Sequence, residues 1–182
     1  MRRHTDTIST MVSTRMMDSF LNVGRKIYCE NTRDNNQDKN ICDVMCEMAV
    51  SNTNLAFACE IGLKTLAFAE TKNPLFDQHD LLFLYDLLSE KSKTIIKSFT
   101  VMKYNARIIN QPQMTEIVFL EMLKKNKRAF IDSRYWYEQY LDYEKEMGNL
   151  FILSFSEAIS QLVNMFPYKE MPVSIISERD MQ

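Results

Sequence analysis

Apolar side chains recur along this chain at three- and four-residue intervals, and the segments that keep the rhythm predict five to six helices. The first runs from about Asp6 to Cys29, with Ile8, Met11, Val12, Met16, Phe20, Val23 and Ile27 forming one continuous apolar face. The polar stretch from Asn31 to Asn40 carries no hydrophobe and predicts a connection, with Asp38 as the cap of the second helix. That helix, the longest, spans about Lys39 to Glu70, marked on one side by Ile41, Val44, Met45, Met48, Leu55, Cys59, Leu63 and Leu66. Pro74 breaks it, and Asp77-Gln78-His79-Asp80 offers capping groups to a short helix that starts at the histidine and carries Leu81 to Leu88. A further helix covers about Ser92 to Ile109 and is closed by Pro112. Met114 to Tyr143 repeats Ile117, Leu120, Leu123, Phe130, Arg134, Tyr137 and Leu141, as one helix or as two broken near Asn126. The last helix spans about Asn149 to Met165; Pro167 ends it and leaves 167–182 as an ordered or frayed tail.

Composition adds the class. Three glycines and four prolines in 182 residues, against abundant Met, Leu, Ala, Glu and Lys, favour an all-α fold. The length suits one domain over 1–182, with its core at about 5–166. A formal net charge of −2 exerts no global pull toward nucleic acid or anionic lipid, so any such contact needs a local patch. The opening residues carry no apolar leader segment and no run of about 18 apolar residues occurs, which predicts a cytoplasmic protein without a membrane partner. In that compartment Cys29, Cys42, Cys46 and Cys59 are read as reduced thiols. Cys42 and Cys46 share a helical face, but His4 and His79 are the only histidines, so no metal and no cofactor is assigned. The thirteen methionines are read as filling an adaptable core.

Candidate chemistry concentrates in Arg134-Tyr135-Trp136-Tyr137-Glu138. On a helix, Arg134 and Glu138 share a stripe with Phe130 above and Leu141 below. Charges in line with apolar residues face a packed surface or a cleft, as a functional site or as a buried salt bridge that fixes a dimer. Lys124, Lys125, Lys127 and Arg128 precede Arg134 by one or two turns, either as a solvated run or as cations placed for an RNA backbone. Trp136 and the rings of Tyr135, Tyr137 and Tyr140 stack bases or pack in a core or interface. Glu60 and Lys64 lie one turn apart, acid before base, as a structural ion pair or a pair near the site. His79 is the only histidine inside the domain, either a helix-start residue bonded to backbone amides or a group converging on the cleft.

Three local patterns together resemble the HEPN domains, the higher eukaryote and prokaryote nucleotide-binding family. They are Asn54-Leu-Ala-Phe-Ala-Cys-Glu60-Ile-Gly-Leu-Lys64, then His79-Asp80-Leu81 followed by Leu84 and Leu88, then Phe130 followed by Arg134-Tyr-Trp-Tyr-Glu138. The resemblance covers about residues 40 to 145 and implies an up-and-down helical bundle. It also implies a homodimer in which the arginine helices meet at a composite cleft. Many members are metal-independent ribonucleases of toxin–antitoxin or anti-phage defence systems, so the implied partners are RNA and a cognate antitoxin, nucleotidyltransferase or defence-complex protein. The chain departs from the family motif at Gln139, four intervening residues after Arg134, where the family often has histidine.

RNA cleavage by its own 2′-hydroxyl needs a proton acceptor, a proton donor and positive charge at phosphorus. Arg134 supplies the charge, Glu138 serves as base if its surroundings raise its pKa, Tyr137 donates, and His79 is the titratable alternative. Gln139 exchanges no proton, so two readings stand: a ribonuclease effector working through Arg134, Glu138 and His79, or a non-catalytic module that binds a partner protein, nucleotide or RNA.

Overall fold

The computed structural model describes residues 2–33, 40–72, 77–108, 112–134 and 150–165. These residues form α1 (Arg2–Arg33), α2 (Ile41–Thr71), α3 (Leu81–Asp86), α4 (Glu90–Asn105), α5 (Glu116–Lys125), α6 (Ala129–Arg134) and α7 (Leu150–Met165). The protein is an all-α helical bundle, with no strand among the described residues. The expected Met114–Tyr143 segment is divided by a turn at 126–128, which separates α5 from α6. None of the described helices is long and apolar enough to cross a membrane.

Short polar side chains start the helices where the chain supplies them. Asn40 opens α2, its Oδ1 accepting the amide of Cys42 at 3.0 Å, so the cap lies two residues beyond the expected Asp38. Lys72 closes α2 in the left-handed region at φ 63°, its amide donating to the Phe68 carbonyl. Asp80, Ser89 and Thr115 cap α3, α4 and α5. Glu70, near the end of α2, accepts from the Ser89 amide at 2.7 Å and from the Ser92 hydroxyl at 2.6 Å, which ties one helix end to the start of another.

α7 occupies the centre. Nearly every side chain from Phe151 to Val163 is buried, as expected of a helix enclosed on all sides. Phe151 and Phe155 join Phe119 of α5 and Tyr85 of α3 in a cluster of edge and stacked rings with centroids 5.5 to 6.3 Å apart. Gly62 of α2 faces Met17 of α1 and Ile159 of α7, and a side chain there would collide with both. A second close approach sets Gly24 of α1 against Leu55, where the Ser51 hydroxyl donates to the Gly24 carbonyl at 2.7 Å.

These contacts correct the face expected of α1. Thr14, Met17, Leu21 and Gly24 are buried, whereas Met11, Val12, Met16 and Val23 are exposed. The helix carries apolar residues on two sides, and the side that packs is the one whose glycine lets the α2 backbone approach.

Candidate functional site

Midway along α2, Glu60 projects from a face otherwise made of Ala56, Cys59, Leu63 and Ala67, and its side chain is carried into the interior with them. It is only 2% exposed, so its carboxylate depends on protein partners rather than water. Lys64, one turn on, supplies one: its Nζ donates to Glu60 Oε1 at 2.8 Å. The second comes from outside the helix. His79 precedes α3, and its Nδ1 lies 3.0 Å from the same Oε1. Glu60 Oε2 is buried and has no hydrogen-bond partner among the described residues.

A carboxylate oxygen only accepts, so this short contact assigns the proton to His79 Nδ1. Nε2 is then the nitrogen left for other chemistry, on a side chain that is 43% exposed. Glu60 therefore fixes both the rotamer and the tautomer of His79, as the buried carboxylate does in an acid–histidine pair. Lys64 offsets the buried negative charge and holds Glu60 in place.

Rings flank this triad. Phe57, one turn before Glu60, stacks on Phe130 of α6 with centroids 4.8 Å apart, and Phe20 meets Phe57 edge-on at 4.7 Å. Phe130 in turn lies 6.3 Å from the His79 ring. This aromatic strip seats α6 against α2 beside the histidine. The basic turn is close as well, because the Lys127 carbonyl accepts the amide of Leu81, two residues past His79, at 2.8 Å. Lys124, Lys125, Lys127 and Arg128 are all exposed.

Of the residues singled out in the sequence, Glu60, Lys64 and His79 thus meet at one point, with Phe130 of α6 beside the histidine and the Lys127 backbone bonded two residues past it. The expected bonding of His79 to helix-start amides is not what holds it: Asp80 caps α3, and His79 turns back to Glu60. Arg134 ends α6, but its side chain lies outside the described residues, as do Trp136, Tyr137, Glu138 and Gln139.

Sequence reasoning missed a second buried carboxylate. Glu157 of α7 accepts from Arg107 Nη2 through both oxygens at 2.9 Å, with Lys103 Nζ at 4.0 Å. Burial raises the pKa of the nearby Tyr28 phenol, and the Arg107 charge partly opposes that rise. Only the presence of an acid inside the apolar run of α7 signalled the pair. The thiols divide by position: Cys42 and Cys46 are exposed and free, while Cys59 is enclosed and its pKa is pushed well up by burial. Among the described residues no group of three or more His, Cys, Asp or Glu side chains is arranged to hold a metal ion.

Comparison with known proteins finds no matching family model, no matching curated protein and no matching solved structure.

Proposed function

We propose that this protein is a HEPN-type RNA effector, a metal-independent endoribonuclease that acts as a homodimer in a prokaryotic toxin–antitoxin or anti-phage defence system. The single observation that carries the reading is the His79–Glu60 bond. It holds a half-exposed histidine by its Nδ1, two residues before the amide that the Lys127 carbonyl of the basic turn accepts, with its ring 6.3 Å from Phe130 of the helix that ends in Arg134.

In this reading His79 Nε2 takes the proton from a ribose 2′-hydroxyl, and the 2′-oxygen attacks the adjacent phosphorus. The bond to the 5′-oxygen breaks, leaving a 2′,3′-cyclic phosphate, and the departing oxygen receives a proton from Tyr137 or from water. Arg134 stabilises the charge that builds on the phosphorane. Glu138 orients that guanidinium, while Lys124, Lys125, Lys127 and Arg128 hold the neighbouring phosphates and Trp136 stacks a base. His79 stands in for the histidine of the family motif, in whose place this chain has Gln139.

The test is cleavage of a panel of structured and single-stranded RNAs by the full chain in EDTA, with His79→Ala and Arg134→Ala compared at matched helicity and mass. Each substitution is expected to lower the rate by about a hundredfold or more, the scale of a lost acid–base or charge-stabilising group. RNA left intact by the unmodified protein, with and without a candidate antitoxin or nucleotidyltransferase partner, refutes the enzymatic reading.

A second reading is favoured by the Glu60–Lys64 pair, because the same contacts also serve as a structural lock. On it, the chain is a non-catalytic HEPN module that binds a partner protein or nucleotide. Arg134→Ala then lowers dimer stability, and no variant changes RNA turnover.

A further inference from the structure

α5 meets the core through Phe119 and Leu123, which are fully buried, and turns its other side to solvent. That side is not uniformly polar. Ile117 is 73% exposed and Leu120 is 41% exposed, and the two share a stripe with Lys124 at i, i+3 and i+7. In the adjoining helix α3, whose Tyr85 packs on Phe119, Phe83 is exposed, as is Leu87, which caps its end. Past the apolar half come Lys124, Lys125, Lys127 and Arg128, none of which has an ion-pair partner among the described residues. At the other end, Glu116 is already engaged by Lys97 at 2.7 Å, and Glu121 is the one further carboxylate between 117 and 128.

An RNA backbone accounts for the cations but leaves Ile117 and Leu120 without a purpose, since neither stacks on a base nor donates a hydrogen bond. Two aliphatic side chains one turn apart, succeeded by a cationic end, are instead complementary to a helix that carries apolar anchors among carboxylates. We propose that this face of α5 docks an acidic amphipathic helix of a partner protein. Its aliphatic side chains cover Ile117 and Leu120, and its carboxylates pair with Lys124, Lys125, Lys127 and Arg128. A regulatory consequence rests on the ribonuclease reading: because Lys127 is bonded to the segment carrying His79, such a partner covers the phosphate-binding cations and excludes RNA.

The experiment is fluorescence anisotropy with the full chain and a labelled amphipathic helical peptide bearing leucines on one face and glutamates elsewhere. A companion peptide with lysines for the glutamates, an oligouridine and vesicles of phosphatidylcholine with phosphatidylserine complete the set. The glutamate peptide is expected to bind, the lysine peptide not, and oligouridine to compete. Ile117→Ser with Leu120→Ser, both at exposed positions, weakens the peptide about tenfold, the scale of a lost apolar anchor, and leaves oligouridine binding unchanged. Lys124→Glu with Lys127→Glu weakens both ligands. The proposal is overturned if the serine variant binds the peptide normally or if vesicles bind while the peptide does not. It is equally overturned if light scattering shows that the serine variant splits a dimer, which makes the face a contact between copies. Failure of the ribonuclease reading is separate: it shows as absent cleavage with peptide binding intact.

Discussion

Replacing Lys64 by Met should destabilise the protein more than replacing Glu60, the buried residue it serves. In Lys64→Met the Glu60 carboxylate remains enclosed, keeps only the His79 contact, and loses a charge-assisted hydrogen bond. Leaving a buried charge so compensated costs about 3 kcal/mol, the low end for a broken buried pair because His79 remains. Glu60→Met removes both the charge and the unpartnered Oε2, and fills similar volume with apolar atoms. Lys64 and His79, with side chains 22% and 43% exposed, are not left enclosed without water, so the net change stays within about 1 kcal/mol. The double variant likewise stays within about 1 kcal/mol of the parent, giving a coupling of about 3 kcal/mol. Urea denaturation monitored by far-UV circular dichroism measures all four proteins, and unchanged slopes show that the unfolding transition is the same. In thermal melts the Lys64→Met loss corresponds to a fall of about 6–12 °C for a chain of this size. Equal costs for the two single variants, or simple additivity in the double, would refute the burial argument. On the proposed ribonuclease reading Glu60→Met also separates stability from function, because His79 loses the group that orients it: RNA cleavage is expected to fall while the fold persists.

Packing and burial set two more outcomes. Gly62→Ala places a methyl group against Met17 and Ile159; overpacking of about 1–3 kcal/mol outweighs a helix-propensity gain of about 1 kcal/mol, so calorimetry should show a lower melting temperature. Burial raises the Tyr85 phenol pKa, with Asp86, Glu90 and Glu116 adding to the rise, and its hydroxyl donates to the Lys93 carbonyl at 2.9 Å. The folded state therefore keeps a proton that the unfolded chain releases near pH 10, so this contribution is complete below about pH 10 and is lost as pH climbs further. Tyr85→Phe costs about 1 kcal/mol at neutral pH but flattens the alkaline decline, as pH-dependent denaturation will show.

Much of the secondary structure was legible because helix periodicity, proline stops and capping side chains act over a few residues. The stop before Pro74 and the capping groups at 77–80 placed the gap between α2 and α3, and Asn126 marked the possible break between α5 and α6. The Glu60–Lys64 pair was legible for the same reason, being one turn apart on one helix. Three features were not. The packing face of α1 is set by Gly24 and Met17, whose fit against α2 and α7 outweighs the more numerous apolar residues on the exposed side. His79 finds Glu60 at a separation of nineteen residues, and Arg107 finds Glu157 at a separation of fifty. A chain by itself determines which segments coil, since that depends on neighbours within a turn or two. Which face is enclosed, and which carboxylate meets which cation, is decided only when helices remote in sequence exclude water between them, because burial is what makes those partners necessary.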